Sequence, residues 1–219
     1  MIYGLIPIGG KGLRLGLPYS KEMLPQKNFT YYNPIVNHTV AKMLSARVDH
    51  IVFVHGKKFK KDVKKFYQDD NYIHLKQTNE QFGGVLYDFY NSLSIDDHDQ
   101  IVFGLPDTVY QGNPFKELLT HPNIVAGLFQ ASDYSLVDRL WHGKFQVKSP
   151  KTNENEAWFW GTLKFDGADI KKMIDDKQFN KHTEIGSILN EYDFRCAYFN
   201  KYFDLGTWKG YNDYLNSDL

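Results

Sequence analysis

The chain has 219 residues, with 26 Lys plus Arg against 26 Asp plus Glu, so its formal net charge is zero. That balance excludes a global electrostatic footprint for nucleic acid or anionic lipid, and any phosphate binding must come from a local cluster. The single Cys196 excludes an internal disulfide, no Cys/His spacing reads as a zinc site, and no h-region or 18-residue apolar run reads as a signal or a membrane span, so the expected location is cytoplasmic.

The first element is an apolar run, Ile2–Ile8 (IYGLIPI), unbroken by charge and followed at once by Gly9-Gly10-Lys11-Gly12. This is the pattern of a buried strand feeding a glycine turn. Asn33-Pro34 then opens a helix as an N-cap and first-turn proline, with Ile35, Val36, Val40, Met43 and Leu44 at helical spacing. A strand follows at His50–His55, and residues 57–68 read as a basic amphipathic helix with Phe59, Val63, Phe66 and Tyr67 inward. Further strands are expected at 72–75, 100–105 and 123–129, with helices at 84–93 and 114–119. Alternation of this kind implies βαβ units, right-handed crossovers and a mostly parallel sheet. After about residue 133 the pattern changes. Strands at 144–147 and 157–165, separated by a polar loop over 148–156, read as an inserted antiparallel ribbon. Helices near 168–174 and 183–192, a strand at 195–200 and a helix at Trp208–Leu215 complete the chain. With no internal repeat or long linker, one domain over 1–219 is the simplest organisation.

Gly9, Gly10 and Gly12 let the backbone fold tightly and present N–H groups toward one point, a nest suited to phosphate oxygens. Behind them Arg14 can grip a phosphate with its fork, and Lys21 can bring a mobile point charge to a second. A glycine loop at the carboxyl edge of a parallel sheet is where α/β proteins bind nucleotides. The dinucleotide pattern GxGxxG fails at Leu15, and GxxxxGKS is absent.

The stretch GGKGLRLGLPYSKEMLP resembles the signature loop of the sugar-1-phosphate nucleotidyltransferases (NDP-sugar pyrophosphorylases), of the glucose-1-phosphate thymidylyltransferase kind, whose pattern is GGxGTRL, then a proline, then K-x-L-L-P. The resemblance continues in order along the chain. Gly104-Leu105-Pro106-Asp107-Thr108 and Phe203-Asp204-Leu205-Gly206-Thr207-Trp208 are similar to the family's two metal-binding segments. Gln77, followed by Gly83, is similar to its base-recognition residues, and EAWFWGTLKFD, with Glu156 and Gly161, to the strand lining its sugar pocket. Lys148, in VKSPK, stands where the family often has a lysine on the sugar phosphate.

The resemblance implies a Rossmann-like (GT-A type) three-layer sandwich with a mostly parallel central sheet and a small antiparallel ribbon. It implies a nucleotide-binding half over 1–130, and a sugar-binding half with the second metal ligand over 131–219. By it, Gly9, Gly10, Lys11, Gly12, Gln77 and Gly83 bind nucleotide. Arg14 and Lys21 are catalytic, Asp107 and Asp204 hold Mg²⁺, and Lys148, Glu156 and Gly161 face the sugar phosphate. The implied reaction joins an NTP, dTTP or UTP if Gln77 favours a pyrimidine, to a sugar 1-phosphate and releases pyrophosphate. Its chemistry asks for such parts: charge on the transferred and leaving groups must be neutralised, and Mg²⁺ takes one or two carboxylates plus phosphate oxygens. No protein base is required, because a phosphate monoester is already anionic.

The chain departs from the family in having Leu13 where Thr is usual, and a short spacer between Arg14 and Lys21. Rival readings stand beside the first. A cytidylyltransferase acting on phosphocholine shares the loop, and a non-catalytic nucleotide-sugar-binding relative shares the fold. A metal-dependent glycosyltransferase wants a DxD pair, which Asp107-Thr108-Val109 lacks. Single residues have plainer readings too. Asp107 is also a turn residue, Asp204 to Thr207 a helix cap, and Gln77 a loop residue. The lysines at 57, 58, 60, 61, 64 and 65 read as a solvated helix face, and Trp158 and Trp160 as core or pocket wall. Cys196 reads as a small hydrophobe, and the chain reads as binding neither nucleic acid nor membrane, with its oligomeric state open.

Overall fold

Alternation along the first strand builds both faces of the fold. Tyr3 and Leu5 enter one core cluster and Ile6 and Ile8 the other, as a period of two requires of a strand covered on both sides. A computed structural model of the chain describes residues 1–10, 14–28, 30–56, 60–78, 82–130, 137–149, 158–176 and 184–218.

In chain order the elements are β1 (Ile2–Ile8), a 3-10 turn (Lys21–Met23), α1 (Val36–Ser45), β2 (His50–His55), α2 (Lys61–Phe66), β3 (Tyr72–Lys76), α3 (Phe82–Ser92), β4 (Gln100–Gly104), β5 (Thr108–Tyr110), α4 (Pro114–Leu118) and β6 (Val125–Gln130). Then follow β7 (Val137–Trp141), β8 (Lys144–Ser149), β9 (Trp158–Asp166), α5 (Gly167–Asp175), α6 (Ile185–Leu189), β10 (Arg195–Tyr198), β11 (Tyr202–Asp204) and α7 (Trp208–Leu215).

The main sheet runs β10-β6-β9-β4-β1-β2-β3. β4, β1, β2 and β3 are parallel, as are β10 and β6, and β9 lies antiparallel between the two blocks. Helices α3, α5 and α6 contribute to the core on one face, around Phe89, Phe103 and Leu163. Helices α1 and α4 cover the other, around Met43, Phe53 and Phe115. This is the expected mostly parallel α/β sandwich. A second, two-stranded antiparallel sheet pairs β11 with β5. A small third cluster under α7 joins Leu15 and Leu24, which flank the turn, to Leu205, Tyr211 and Tyr214.

Several local expectations are corrected. β8 pairs with β7, and β9 enters the main sheet between β4 and β6, so 144–147 and 157–165 are not partners in one ribbon. Helix α1 starts at Val36, not at Asn33-Pro34. Pro34 instead bridges Pro25, with Gln26 donating to the Asn33 carbonyl and Ile35 to that of Leu24. Leu44 and Phe66 are exposed, the latter edge-on to Tyr32. Helix α6 spans five residues, ending at Leu189 rather than running on to 192. The last helix forms at Trp208–Leu215, with Thr207 Oγ1 accepting from Gly210 N.

Gly210 packs flat against β11: a Cβ there would stand 1.9 Å from the Asp204 carbonyl oxygen. Gly210→Ala is expected to lower stability by about 1–3 kcal/mol, the usual cost of overpacking, and to loosen the end of β11. Urea unfolding of the variant beside the parent protein checks it; an unchanged midpoint would show that α7 is free to shift.

Candidate active site

The carboxyl edge of β1 supplies the floor of the site. Gly9 and Gly10 follow the last β1 residue and are exposed. Gly9 meets the end of β2 so closely that a Cβ on Gly56 would lie 2.8 Å from the Gly9 Cα. On one side of this corner, buried Gln77 brings its Oε1 to 3.2 Å from the Gly9 Cβ direction. The Gln77 N–H donates to the His55 carbonyl, and Asp88 of α3 grips the next residue through Thr78 N (2.7 Å) and Thr78 Oγ1 (2.6 Å). On the other side Lys21 lies over Gly10, its Cε 3.3 Å from the Cβ direction there.

Asp107 sits in the turn from β4 to β5. Helix α1 holds that turn: Thr39 Oγ1 and Thr108 Oγ1 both donate to the Leu105 carbonyl, and Tyr110 N donates to His38 Nε2 at 3.0 Å. Asp204 arrives from the other end of the chain. The register of β11 on β5 sets it opposite Thr108, and Leu205 N donates to the Asp107 carbonyl. The chain turns next at Gly206, whose N–H donates to Asp204 Oδ1 at 2.8 Å. Around Gly206 three charged heads meet. Asp204 Oδ1, Arg14 Nη2 and Asp107 Oδ2 lie 2.9, 3.1 and 3.2 Å from the point a Cβ would occupy. Lys21 Nζ donates to the same Asp107 oxygen.

The electrostatics follow from that packing. Burial raises the Asp107 carboxyl, but the Lys21 charge and its hydrogen bond outweigh burial and hold it below the usual carboxylate range. Burial lowers Lys21, and the Asp107, Glu22 and Asp204 charges more than restore it, so it stays an ammonium. Asp204 is pushed up, by burial first and then by Asp107, against the pull of Gly206 N–H, Lys21 and Arg14. Two acids and two cations thus close on one point.

Other expected residues stand differently. Lys11, Gly12 and Glu156 lie outside the described residues, and Lys148 is placed in β8 by its backbone alone. Gly83 is buried in the first turn of α3. Gly161 is buried in β9, where a Cβ would press on the Phe129 ring at 2.7 Å and on Tyr202 at 3.0 Å. Trp158 and Trp160 pack against the larger core cluster, and the Trp160 indole N–H reaches Asp138 at 3.3 Å. Lys60 departs from the solvated reading of its charge run: its ammonium pairs with fully buried Glu22 at 2.7 and 2.8 Å, while Lys61, Lys64 and Lys65 are exposed as expected and Lys57 and Lys58 lie outside the described residues. The sequence signal for it, an acid between Lys21 and Met23 inside the signature loop, was present and lacked only its partner.

Among solved structures the chain is similar to a Bacillus anthracis protein assigned as a glucose-1-phosphate thymidylyltransferase and solved with sucrose (TM-score 0.78, 18% identity, covering 98% of this chain and 94% of that one). It is similar to a UDP-glucose pyrophosphorylase complexed with UDP-glucose (TM-score 0.75, 16% identity, 99% and 98% covered). It is also similar to a UTP-bound UGPase of Acinetobacter baumannii (TM-score 0.71, 14% identity, 98% and 92% covered). No family model matches the chain, and no curated protein matches it. At these identities the likeness shows the fold, and it is the Rossmann-like α/β sandwich expected from the sequence.

Two outcomes are expected for the free protein. Asp204→Asn removes a carboxylate that burial and Asp107 disfavour, so it should raise the melting temperature at pH 7; a lowered one would mean the Gly206 bond outweighs the repulsion. The second concerns acid. Burial, with Lys42 for His38 and His74 and the lysines for His55, pushes both imidazoles from 6.5 to about 4. The unfolded chain therefore binds more protons between these values, so their stability contribution is complete above about 6.5 and is lost as pH falls toward 4. His38→Gln should flatten that limb of a urea-midpoint against pH profile.

Proposed function

We propose that this chain transfers a nucleotidyl group from a nucleoside triphosphate, dTTP or UTP, to a sugar 1-phosphate, releasing pyrophosphate and forming a nucleoside diphosphate sugar. The observation that carries the reading is the meeting of Arg14, Lys21, Asp107 and Asp204 around Gly206, at the edge of the glycine corner. The structural neighbours support it: one is solved with UDP-glucose and another with UTP.

The charge balance at Gly206 argues for a divalent cation with the nucleotide. Two acids and two cations leave nothing over for the several negative charges of a triphosphate. Mg²⁺ takes one or two carboxylates and fills its shell with phosphate oxygens and water. Among the described residues no group of three acids, His or Cys could cage a metal by itself. Asp107 and Asp204, facing the empty Cβ position of Gly206, suit an ion that arrives with its nucleotide. Bound there, Mg²⁺ would supply charge neutralisation on the phosphoryl oxygens.

The chain's own groups do the rest. Gly9 and Gly10 let phosphate approach the main chain, with Lys11 and Gly12 continuing that loop in sequence. Lys21, handed from Asp107 to phosphate, and Arg14 neutralise the transferred and leaving groups. The acceptor's phosphate oxygen attacks the α-phosphorus, and pyrophosphate leaves. Gln77, fixed beside Gly9, reads the base with Gly83 at the head of α3. Lys148, Glu156 and Gly161 are assigned to the sugar phosphate side. The single domain then divides into a nucleotide half over 1–130 and an acceptor half over 131–219. Its place is a cytoplasmic pathway supplying nucleotide sugars for polysaccharide. No helix among the described residues is long and apolar enough to cross a membrane.

The test is a matrix of dTTP, UTP, CTP and other NTPs against sugar 1-phosphates and phosphocholine, with pyrophosphate followed in the presence of Mg²⁺ or EDTA. Turnover is expected with dTTP or UTP and a sugar 1-phosphate, and none in EDTA. Turnover confined to CTP and phosphocholine would replace the acceptor, and nucleotide binding without any turnover would leave a binding protein. Arg14→Ala and Lys21→Ala should each lower kcat by about 10²–10³-fold. Lys21→Ala should also cost roughly 3–5 kcal/mol, because it leaves Asp107 charged and buried without its partner. Gly206→Ala places a methyl where the charged heads meet, pushes Asp204 Oδ1 from its place 2.9 Å away, and should abolish turnover together with a modest fall in melting temperature.

A further inference from the structure

The turn that carries Lys21 is clamped from outside by the start of α2. Ser20 gives both its main-chain N–H and its hydroxyl to Asp62, at 3.0 and 2.8 Å. Glu22, fully buried, receives Lys60 on both carboxylate oxygens. The same Lys60 ammonium also donates to the Gly10 carbonyl at 2.9 Å, so it bonds to the buried carboxylate and to the glycine corner at once. Its main-chain N–H is anchored as well, on His55 Nδ1 at 3.2 Å, at the end of β2. Lys21 also lies against Gly10, its Cε 3.3 Å from the Cβ direction there. One lysine therefore ties three separate pieces together: the end of β2, the glycine corner, and the turn bearing the phosphate-binding lysine.

We propose that Lys60 is a positioning residue for the phosphate site, with Glu22 as its buried counter-charge. It holds Gly10 and Lys21 at a fixed separation before nucleotide arrives. This rests on the nucleotidyltransferase reading for what the corner binds. A buried ion pair is weak support for stability by itself, since an apolar pair of similar volume often does as well. Such a replacement cannot make the bond to the Gly10 carbonyl, and there the positioning role parts from a merely structural one. Preorganised phosphate sites tolerate little slack: a displacement of about 1 Å can cost on the order of 10²-fold in rate.

The experiment compares the parent protein with Lys60→Met, Glu22→Gln/Lys60→Met and Lys60→Arg. Three quantities are read: urea midpoint, kcat and KM with dTTP or UTP and glucose 1-phosphate, and amide hydrogen exchange over residues 8–10 and 20–24 without ligand. Lys60→Met should lose stability, because it strands Glu22. The double variant should recover the midpoint, yet keep fast exchange in both segments and a kcat about 10²-fold down, with KM less affected. Lys60→Arg, which keeps the charge and so the fold, should hold the midpoint and lose roughly tenfold in kcat, since a longer planar fork seated on the Glu22 carboxylate no longer places a donor on the Gly10 carbonyl in the same geometry. Parent-like kcat and exchange in the double variant, or parent-like kcat in Lys60→Arg, would overturn the inference. If the parent protein turns over no NTP, the functional reading fails by itself, and the exchange measurement still decides whether Lys60 holds the corner: faster exchange upholds it, unchanged exchange sinks it.

Discussion

Everything at the site depends on one short piece of antiparallel pairing. Three residues of β11 lie on three of β5, and that register sets Asp204 opposite Thr108, next to Asp107. The Leu205 N–H on the Asp107 carbonyl then locks one acid-bearing loop to the other. So short a ribbon is marginal alone, and its support comes from packing. Helix α7 sits on the Asp204 carbonyl through Gly210, while Leu205 is buried with Leu15, Leu24, Tyr211 and Tyr214. The same apolar cluster thus anchors the second acid and both flanks of the turn that carries Lys21.

Bringing two carboxylates together is unfavourable, and the fold meets it with charge rather than with space. Lys21 keeps Asp107 ionised, while Asp204 remains the strained member, pushed up by burial and by its neighbour. Arg14 shares the point at Gly206 but is otherwise exposed. A site arranged purely for stability would not place two acids over a glycine. This one keeps a charged cradle that a single methyl would fill, which is the trade of stability for ligand readiness common at functional sites. The second layer around it is polar, with one partner buried in two of its three pairs: Lys60 with buried Glu22, Asp62 with Ser20, and buried Asp88 with Thr78. Each of these pairs grips a loop at the sheet edge, where no ladder of backbone bonds could do so.

The limits of the linear reading have physical causes. β1, β2 and β4 were legible because strands buried on both faces are continuous apolar runs with Gly or Pro at their ends. β5 and β11 are three residues each, too short for any periodicity to show, and each mixes aromatic with polar residues. β9 has the expected span to within a residue, but its partners were misassigned, since strand order is not encoded in local pattern. Pro34 was read as a helix start because its fixed φ suits the first turn, yet the pairing of residues 24–26 with 33–35 claimed it first. Lys60 looked solvated because its counter-charge lies 38 residues away in sequence.

By itself the sequence determined the fold class and the chemical inventory. A neutral chain of alternating buried strands and helices can only be an α/β layer structure, and the glycine corner, the loop cations and the two late acids each stand in motifs whose residue types are dictated by local backbone and charge. Which of those residues meet was decided by tertiary structure alone. Convergence at Gly206, the grip of Lys60 on Gly10 and the packing of Gly161 against rings all join segments far apart in the chain. Contacts of that kind depend on strand register and on what fills the space between, and neither is written in any local stretch of residues.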